Sequence, residues 1–537
     1  MDKKDIKRET IIRIAIIIGI IIVLNIISVK YFTRFDISRN KTFTLSPVSK
    51  TLVGNLNDKI VIKAFISDNL PAPYNNVRRN VMDLLGDYKS YSKGNLTYEF
   101  YNPTGEGDTS LEKEANKFGI PAVSIQNIEK DKAGYIKAYI GLVYLYQGKQ
   151  EVTQFLQPND NMEYEISTRI KKISTDQRTK IGFLAGHGEY DVTKMQTIYK
   201  LLNDSYQVSN INAGRNQAIP DSIKVLIIMG PKQGLSENEK FIIDQYIMKG
   251  GNVAWLLNKV VPNVQQNMIL GELVQTNLDD MLLSYGVKIN NDLVRDLNCA
   301  QILQPSQIEG FSVPIDNQFF PVITNIDNQI AAFNNLPSVV LPYVSSIDLG
   351  AAQGKELVAK PLLTSSDKSG KDEGFFILNF ERFKGLTPKA LDTMFALKNL
   401  VVGATYQGKF KSFFTGKTPP SDTSKDAPVL NITPVNESAK ESKMIAIGDG
   451  DFAWEENRPP KENLVFFLDL VEYLADDVGL SQIRNKETSE SKIENISDST
   501  KKVFKYFNLI VPPALVLLVG LYRWNKKKTR RKLLSSN

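Results

Sequence analysis

Residues 180–202, KIGFLAGHGEYDVTKMQTIYKLL, hold the pattern on which the fold turns. Ile181-Gly182-Phe183-Leu184 reads as a short apolar strand. It ends in the turn Ala185-Gly186-His187-Gly188-Glu189. Met195, Ile198, Leu201 and Leu202 then recur at helical spacing. The same alternation continues downstream. Gln207 to Ile211 is an expected strand, and Val225-Leu226-Ile227-Ile228-Met229 is fully apolar, as a strand buried on both faces must be. Ser236 followed by Glu239 predicts a capping box for a helix from Glu237 to Met248, with Gly250-Gly251 as its stop. Val253-Ala254-Trp255-Leu256-Leu257 is a further buried strand. Strands alternating with helices predict a doubly wound parallel sheet.

Upstream lies a smaller α/β pattern. Residues 59–66 (KIVIKAFI) form a strand bounded by turn residues. Val77, Val81, Leu84, Leu85 and Tyr88 mark a helix, and residues 96–100 (LTYEF) a second strand. This β–α–β unit asks for a parallel pair with a right-handed crossover. Strands near 135–147 and 149–156 and a helix near 161–174 complete it. Downstream, a helix is expected over 277–286. From 300 to 443 the pattern weakens to a loop-rich insertion, and Gly416 to Lys443 is polar and rich in Pro and Ser. Order returns with the buried strand from Met444 to Ile447, the turn Gly448-Asp449-Gly450-Asp451, and a helix around 466–474.

Both ends are strongly apolar. Ile11 to Val29 and Val503 to Tyr522 are each about as long as the roughly 20 residues a bilayer core requires. Seven bases and no acid follow the second run, from Arg523 to Lys532, which places that side in the cytoplasm. Two spans then put the N-terminus there too. Residues 25–31 offer no small-residue cleavage site, so the first run reads as an uncleaved anchor rather than a signal peptide. The expected layout is a cytoplasmic N-terminus (1–13), a transmembrane helix (11–30), a small α/β ectodomain (31–176) and a larger α/β ectodomain (177–484). A linker (485–502), a second transmembrane helix (503–522) and a basic cytoplasmic tail (523–537) follow. Gly19, Ser28, Pro512, Pro513 and Gly520 are candidate packing positions within the spans.

The net charge of +7 resides in the ends. The tail has seven bases and residues 1–13 have five bases against three acids, so residues 14–522 sum to −2. That argues against nucleic-acid binding by field and assigns the basic ends to topology and lipid contact. With Cys299 and His187 each the sole residue of its type, intramolecular disulfides and HExxH metalloprotease chemistry are excluded, as is a Cys–His metal set within one chain of the multi-ligand kind. No GxSxG elbow occurs, and Gly416-Lys417-Thr418 lacks the first glycine of a phosphate loop and runs into Pro419-Pro420. No catalytic, cofactor or metal residue is therefore assigned. Two turns remain as candidate ligand or interaction sites. One is Gly186-His187-Gly188-Glu189, where His187 and Glu189 could pair as acid and base or simply tie the turn to the next helix. The other is Asp449-Gly450-Asp451.

Motif order along the chain resembles the GldG-like auxiliary component of ABC transporters, a family first associated with gliding motility. The matching pieces are Arg34-Phe35-Asp36, Thr42-Phe43-Thr44-Leu45-Ser46, Leu84-Leu85-Gly86-Asp87-Tyr88, Tyr98-Glu99-Phe100-Tyr101-Asn102-Pro103 and Gly186-His187-Gly188-Glu189. Asn277-Leu278-Asp279 through Tyr285-Gly286-Val287, Gly448-Asp449-Gly450-Asp451-Phe452 and the Pro-containing final span with Arg523-Trp524 complete the order. The resemblance implies a glutamine-amidotransferase-like second domain without the Gly-x-Cys-x-Gly elbow of active members. It implies a non-catalytic subunit of the bacterial inner membrane, with an ABC permease, a cytoplasmic ABC ATPase and the lipid bilayer as partners and room for a homodimer. The alternative is a membrane-tethered solute- or polysaccharide-binding protein. That reading needs Tyr74, Trp255, Tyr343 and Trp454 presented to a cleft between the two domains.

Overall fold

The computed structural model describes residues 44–484, apart from short stretches at 106–108, 130–131, 159–160, 176–177, 214–216, 266–267, 306–311, 335, 421–431, 477–478 and 481–482. It also describes residues 498–534 and, near the N-terminus, residues 16, 17 and 19. Ser28 and most of the first apolar run lie outside the described residues; Ile16, Ile17 and Gly19 are helical.

The body opens with α1 (Pro47–Gly54), β1 (Ile60–Ile66), α2 (Val77–Tyr91), β2 (Leu96–Tyr101) and α3 (Ser110–Lys117). β3 (Val123–Glu129) and β4 (Lys132–Ala138) form a hairpin, and β5 (Ile140–Tyr146), β6 (Lys149–Thr153) and α4 (Met162–Ser174) follow. The sheet order is β2-β1-β5-β6. β1 and β2 are parallel, with Ile60 opposite Leu96, because α2 crosses between them. Val77, Val81, Leu85 and Tyr88 fall on one stripe of α2 and are all buried against this sheet.

The large sheet has the order β16 (Asn325–Ile326), β18 (Leu357–Thr364), β21 (Val401–Gly408), β22 (Ser442–Ile447), β10 (Asn252–Leu256), β9 (Ile223–Met229), β7 (Lys180–Leu184) and β8 (Gln207–Ile211). Its parallel part is β8, β7, β9, β10 and β22. Alternate residues feed two cores. Ile181, Phe183, Val225, Ile227, Ala254 and Ile445 pack towards α5 (Gln196–Ser205) and α9 (Lys461–Leu474). Leu226, Ile228, Val253, Trp255, Met444 and Ala446 pack towards α6 (Glu237–Met248) and α7 (Asp279–Ser284).

The stretch 300–443, expected as a loop-rich insertion, differs. It includes β16 (Asn325–Ile326), β18 (Leu357–Thr364) and β21 (Val401–Gly408), which extend the large sheet beyond β22, each antiparallel to its neighbour. Its other strands are much of β14 (Cys299–Pro305), β15 (Ser312–Ile323), β17 (Val339–Val340), β19 (Ser369–Glu373) and β20 (Phe376–Ile377), and its α-helix is α8 (Pro388–Met394). β19 pairs with β13 (Asp292–Asp296), and β20 joins the hairpin of β11 (Val260–Gln265) and β12 (Met268–Leu273). Pro361 interrupts the register of β18, and the first half of β15 is solvent-exposed, so neither shows clean alternation in sequence.

A second compact unit contains the helix α10 (Asp498–Leu534), with Pro512 and Pro513 inside it and Gly520 beyond them. Its stretch Lys502–Lys526 is the one helix among the described residues long and apolar enough to cross a membrane.

Candidate functional site

Open parallel sheets present ligands and chemistry beyond the carboxyl ends of their strands. Both sequence-selected turns lie there. His187 follows β7 and is almost fully buried at 5% exposure. Its Nδ1 lies 2.8 Å from Glu189 Oε1 and its Nε2 lies 3.0 Å from Glu239 Oε1. The His187 amide donates to Glu189 Oε2 at 2.6 Å, and its carbonyl accepts from the amides of Lys232 (2.8 Å) and Gln233 (3.0 Å). Gly186 and Gly188 flank it and let the turn double back.

A ring facing carboxylates through both nitrogens is held as imidazolium. The hydrogen bond to Glu189, then that to Glu239, pushes His187 up to about 9 against the opposing effect of burial. Burial works against ionised Glu239, but hydrogen bonds from His187 and Ser236 outweigh it and hold this carboxyl down to about 2. Glu239 is the third residue of α6, and its other oxygen accepts from the Ser236 amide (2.8 Å) and hydroxyl (2.7 Å) in the capping box. His187 therefore joins the first turn of the sheet to the N-terminus of α6. Both imidazole nitrogens face carboxylates of the protein itself.

Asp449 follows β22 and is completely buried. Its Oδ1 accepts from the Asp451 amide at 2.8 Å, while Oδ2 has no partner among the described residues. Burial, then the charge of Asp451, pushes the Asp449 carboxyl well above the usual carboxylate range. The loop after β9, at Gly230, sits against the Gly450 turn on one side and Tyr190, which follows the His187 turn, on the other. A Cβ on Gly450 would lie 2.8 Å from Gly230 Cα and 2.7 Å from the Leu256 carbonyl. Gly230 has φ +61°, and a Cβ there would come within 2.5 Å of the Tyr190 ring. That ring packs on Trp454 at 4.5 Å, lies under Lys232 at 4.8 Å, and places its hydroxyl 3.4 Å from Asp451 Oδ2. Tyr190 follows the His187 turn directly in sequence, but Gly230 and Lys232 carry no motif signal, and only the tertiary contact identifies them.

The aromatic cleft fails to assemble. Trp255 is 0% exposed in the sheet core, Tyr74 packs on Phe155 in the small sheet, and Tyr343 packs between Phe319 and Phe320. Of the four, Trp454 packs on Tyr190 beside the sheet-end turns, and Tyr343 comes near Asp451. The Cys299 thiol is pushed up to about 12 by burial and nearby carboxylates, which disfavours a nucleophilic thiolate. Among the described residues, no group of three or more His, Cys, Asp or Glu could hold a metal ion.

A second polar site, not selected among the candidate sites, binds the two ends of the described body together. The Ser46 amide donates to Glu163 Oε1 at 2.7 Å, and the Ser49 hydroxyl donates to the same oxygen at 2.7 Å. One residue along α4, the Tyr164 hydroxyl accepts from Arg484 at 3.1 Å, and Asn161 donates to the Ile483 carbonyl at 2.7 Å. Arg484 is buried against Asp469 (2.7 Å) and Glu472 on α9.

Residues 178–465, more than half of the chain, match the family model described as an ABC-type uncharacterized transport system, whose members are auxiliary components. The chain belongs to that family. Residues 39–144 match a domain of unknown function, DUF7088. An uncharacterized protein of Borreliella burgdorferi is 23% identical over 518 residues, covering 94% of this chain and 95% of its own. Among solved structures, the mmIFT52 N-terminal domain aligns over 55% of this chain and 96% of its own, at 14% identity and a TM-score of 0.31.

Proposed function

We propose that this auxiliary component is a GldG-like, non-catalytic subunit anchored in the bacterial inner membrane by two spans. Both termini are cytoplasmic, and residues 31–502 lie outside. The subunit packs laterally on an ABC permease served by a cytoplasmic ATPase, and its outer body engages an envelope partner or substrate. The observation that carries this reading is the convergence of both chain exits on the N-terminal end of α4, Ser46 on Glu163 and Arg484 on Tyr164. A body whose two connections leave from one point suits attachment to a bilayer through both. The apolar stretch of α10, the run Ile11 to Val29 and the seven bases after Tyr522 support the same arrangement. Gliding motility has no correlate among these observations, and the proposal covers transport alone.

The test is co-purification of the full-length protein in mild detergent. Recovery of a multi-span permease and an ATPase in stoichiometric amounts is expected. Their absence, with the protein itself folded and monodisperse, overturns the reading.

A further inference from the structure

A cleft of about 940 Å³ opens where the small sheet meets the N-terminal edge of the large one. Lys149 and Glu151 come from edge strand β6, Lys172 from the last turn of α4, and Arg178, Lys180 and Lys224 from around the starts of β7 and β9. Among the described lining residues, five cations face a single carboxylate. Part of this charge is balanced locally. Glu151 (3.1 Å) and Asp204 (3.6 Å) pair with Lys172, and Asp476 (3.1 Å) pairs with Lys224. Arg178 donates to the Asn203 carbonyl at 2.8 Å, near the negative end of α5. Lys180 faces no carboxylate partner among the described residues, and cations still outnumber acids when Asp204 and Asp476 are included.

The surplus is local. Residues 14–522 sum to −2, so this positive cleft is not a by-product of a basic surface. Charge of one sign in a walled cleft concentrates the opposite sign there. The cavity is within the size range of small-molecule sites, roughly 300–1,000 Å³. Lysines act as hydrated point charges that suit several anionic oxygens more than one planar carboxylate.

We propose that this cleft binds a soluble anion carrying several phosphate or carboxylate groups, held by Lys180 and Arg178 with Lys149 and Lys224 around them. The cleft lies at the C-terminal end of α4, about 20 Å along the helix from the end where both chain exits fasten, at about 1.5 Å per residue. Because the cleft spans both sheets, the occupied state would also bridge them. This site does not depend on the membrane topology.

The experiment uses full-length protein in detergent, titrated calorimetrically with sodium tripolyphosphate and, in a second arm, citrate. Saturable binding to at least one is expected, weakening as salt rises. It should weaken at least tenfold in the double variant Arg178→Glu/Lys180→Glu and stay within twofold in the control Lys288→Glu/Lys384→Glu, which makes the same charge change elsewhere. The neutral pair Arg178→Gln/Lys180→Gln, with an unchanged melting temperature, must also lose affinity; it covers the case in which the charge reversal disturbs folding. No saturable binding to either anion, or equal loss in the control, overturns the proposal. Binding to phosphatidylglycerol vesicles in place of both soluble anions overturns it as well.

Discussion

His187 and Glu239 meet at 3.0 Å, Nε2 to Oε1, across 52 residues of chain. This contact makes one carboxylate serve two structures, the capping box of α6 and the turn after β7. Removing the imidazole leaves Glu189 and Glu239 side by side without a cation, and both are largely buried. Loss of one partner from a buried ion pair costs about 3–5 kcal/mol. His187→Ala is expected to destabilise the body by at least about 2 kcal/mol, given that one glutamate keeps its Ser236 hydrogen bonds. Urea unfolding of wild type and variant measures it. A change below about 0.5 kcal/mol would show that the clamp is idle.

The same contact sets a pH dependence. His187 is raised to about 9 in the folded chain, against about 6.5 when unfolded. Its stabilisation is therefore complete below about pH 6.5 and fades as pH rises towards 9. Glu239, lowered to about 2, contributes above the ordinary glutamate range and loses its contribution as pH falls towards 2. The melting temperature should fall between pH 6.5 and 9 in the wild type more steeply than in His187→Ala. Parallel curves would dissociate the two effects.

Gly230 sits between the Gly450 turn and Tyr190. Gly230→Ala places a methyl 2.5 Å from the Tyr190 ring on a left-handed backbone. The ring must leave Trp454 or the loop must move. We expect destabilisation of about 1–3 kcal/mol, the usual cost of overpacking, and a red shift of tryptophan emission as Trp454 becomes wetter. An unchanged emission maximum together with wild-type stability would rule out the packing described.

Arg484 joins the last residues of the body to α9 and α4. Arg484→Ala leaves Asp469 and Glu472 buried without their cation, an expected cost of about 3–5 kcal/mol. Cleavage by trypsin should then rise after the lysines of α4 and α9 before it rises elsewhere. Digestion at the wild-type rate would show that the connection carries little.

The proposed topology makes a separate prediction. In a Cys299→Ala background, a cysteine at Lys384 should react with a membrane-impermeant maleimide in intact spheroplasts, and one at Arg530 only after lysis. The reverse pattern would exclude the proposed orientation.

Local features were legible where the chemistry is local. Five successive apolar residues at Val225 to Met229 give a strand buried on both faces wherever they fall in a sheet. Ser236 and Glu239 form their capping box because both partners lie within one helical turn. The apolar stripe of α2 sits where its spacing put it. The stretch 300–443 was opaque because its longer strands carry prolines or bulges, others are only two residues long, and most are stabilised by neighbours distant in sequence, as β21 is by β22. The turns around His187 and Asp449 could be selected by composition, but their roles could not be read. His187 is tied by a residue 52 positions away, and Asp449 titrates as it does because the fold excludes water from it.

By itself, the sequence determined which segments must leave water, where the charge sits, and that a single histidine and a single cysteine restrict the available chemistry. Those follow from residue counts and periodicity, which need no partner. Tertiary structure alone decided that Gly230 sits between the Gly450 turn and Tyr190, that both chain exits fasten to α4, and that lysines from separate segments surround one cleft. Each depends on through-space distance between residues far apart in the chain, and periodicity along the chain does not encode it.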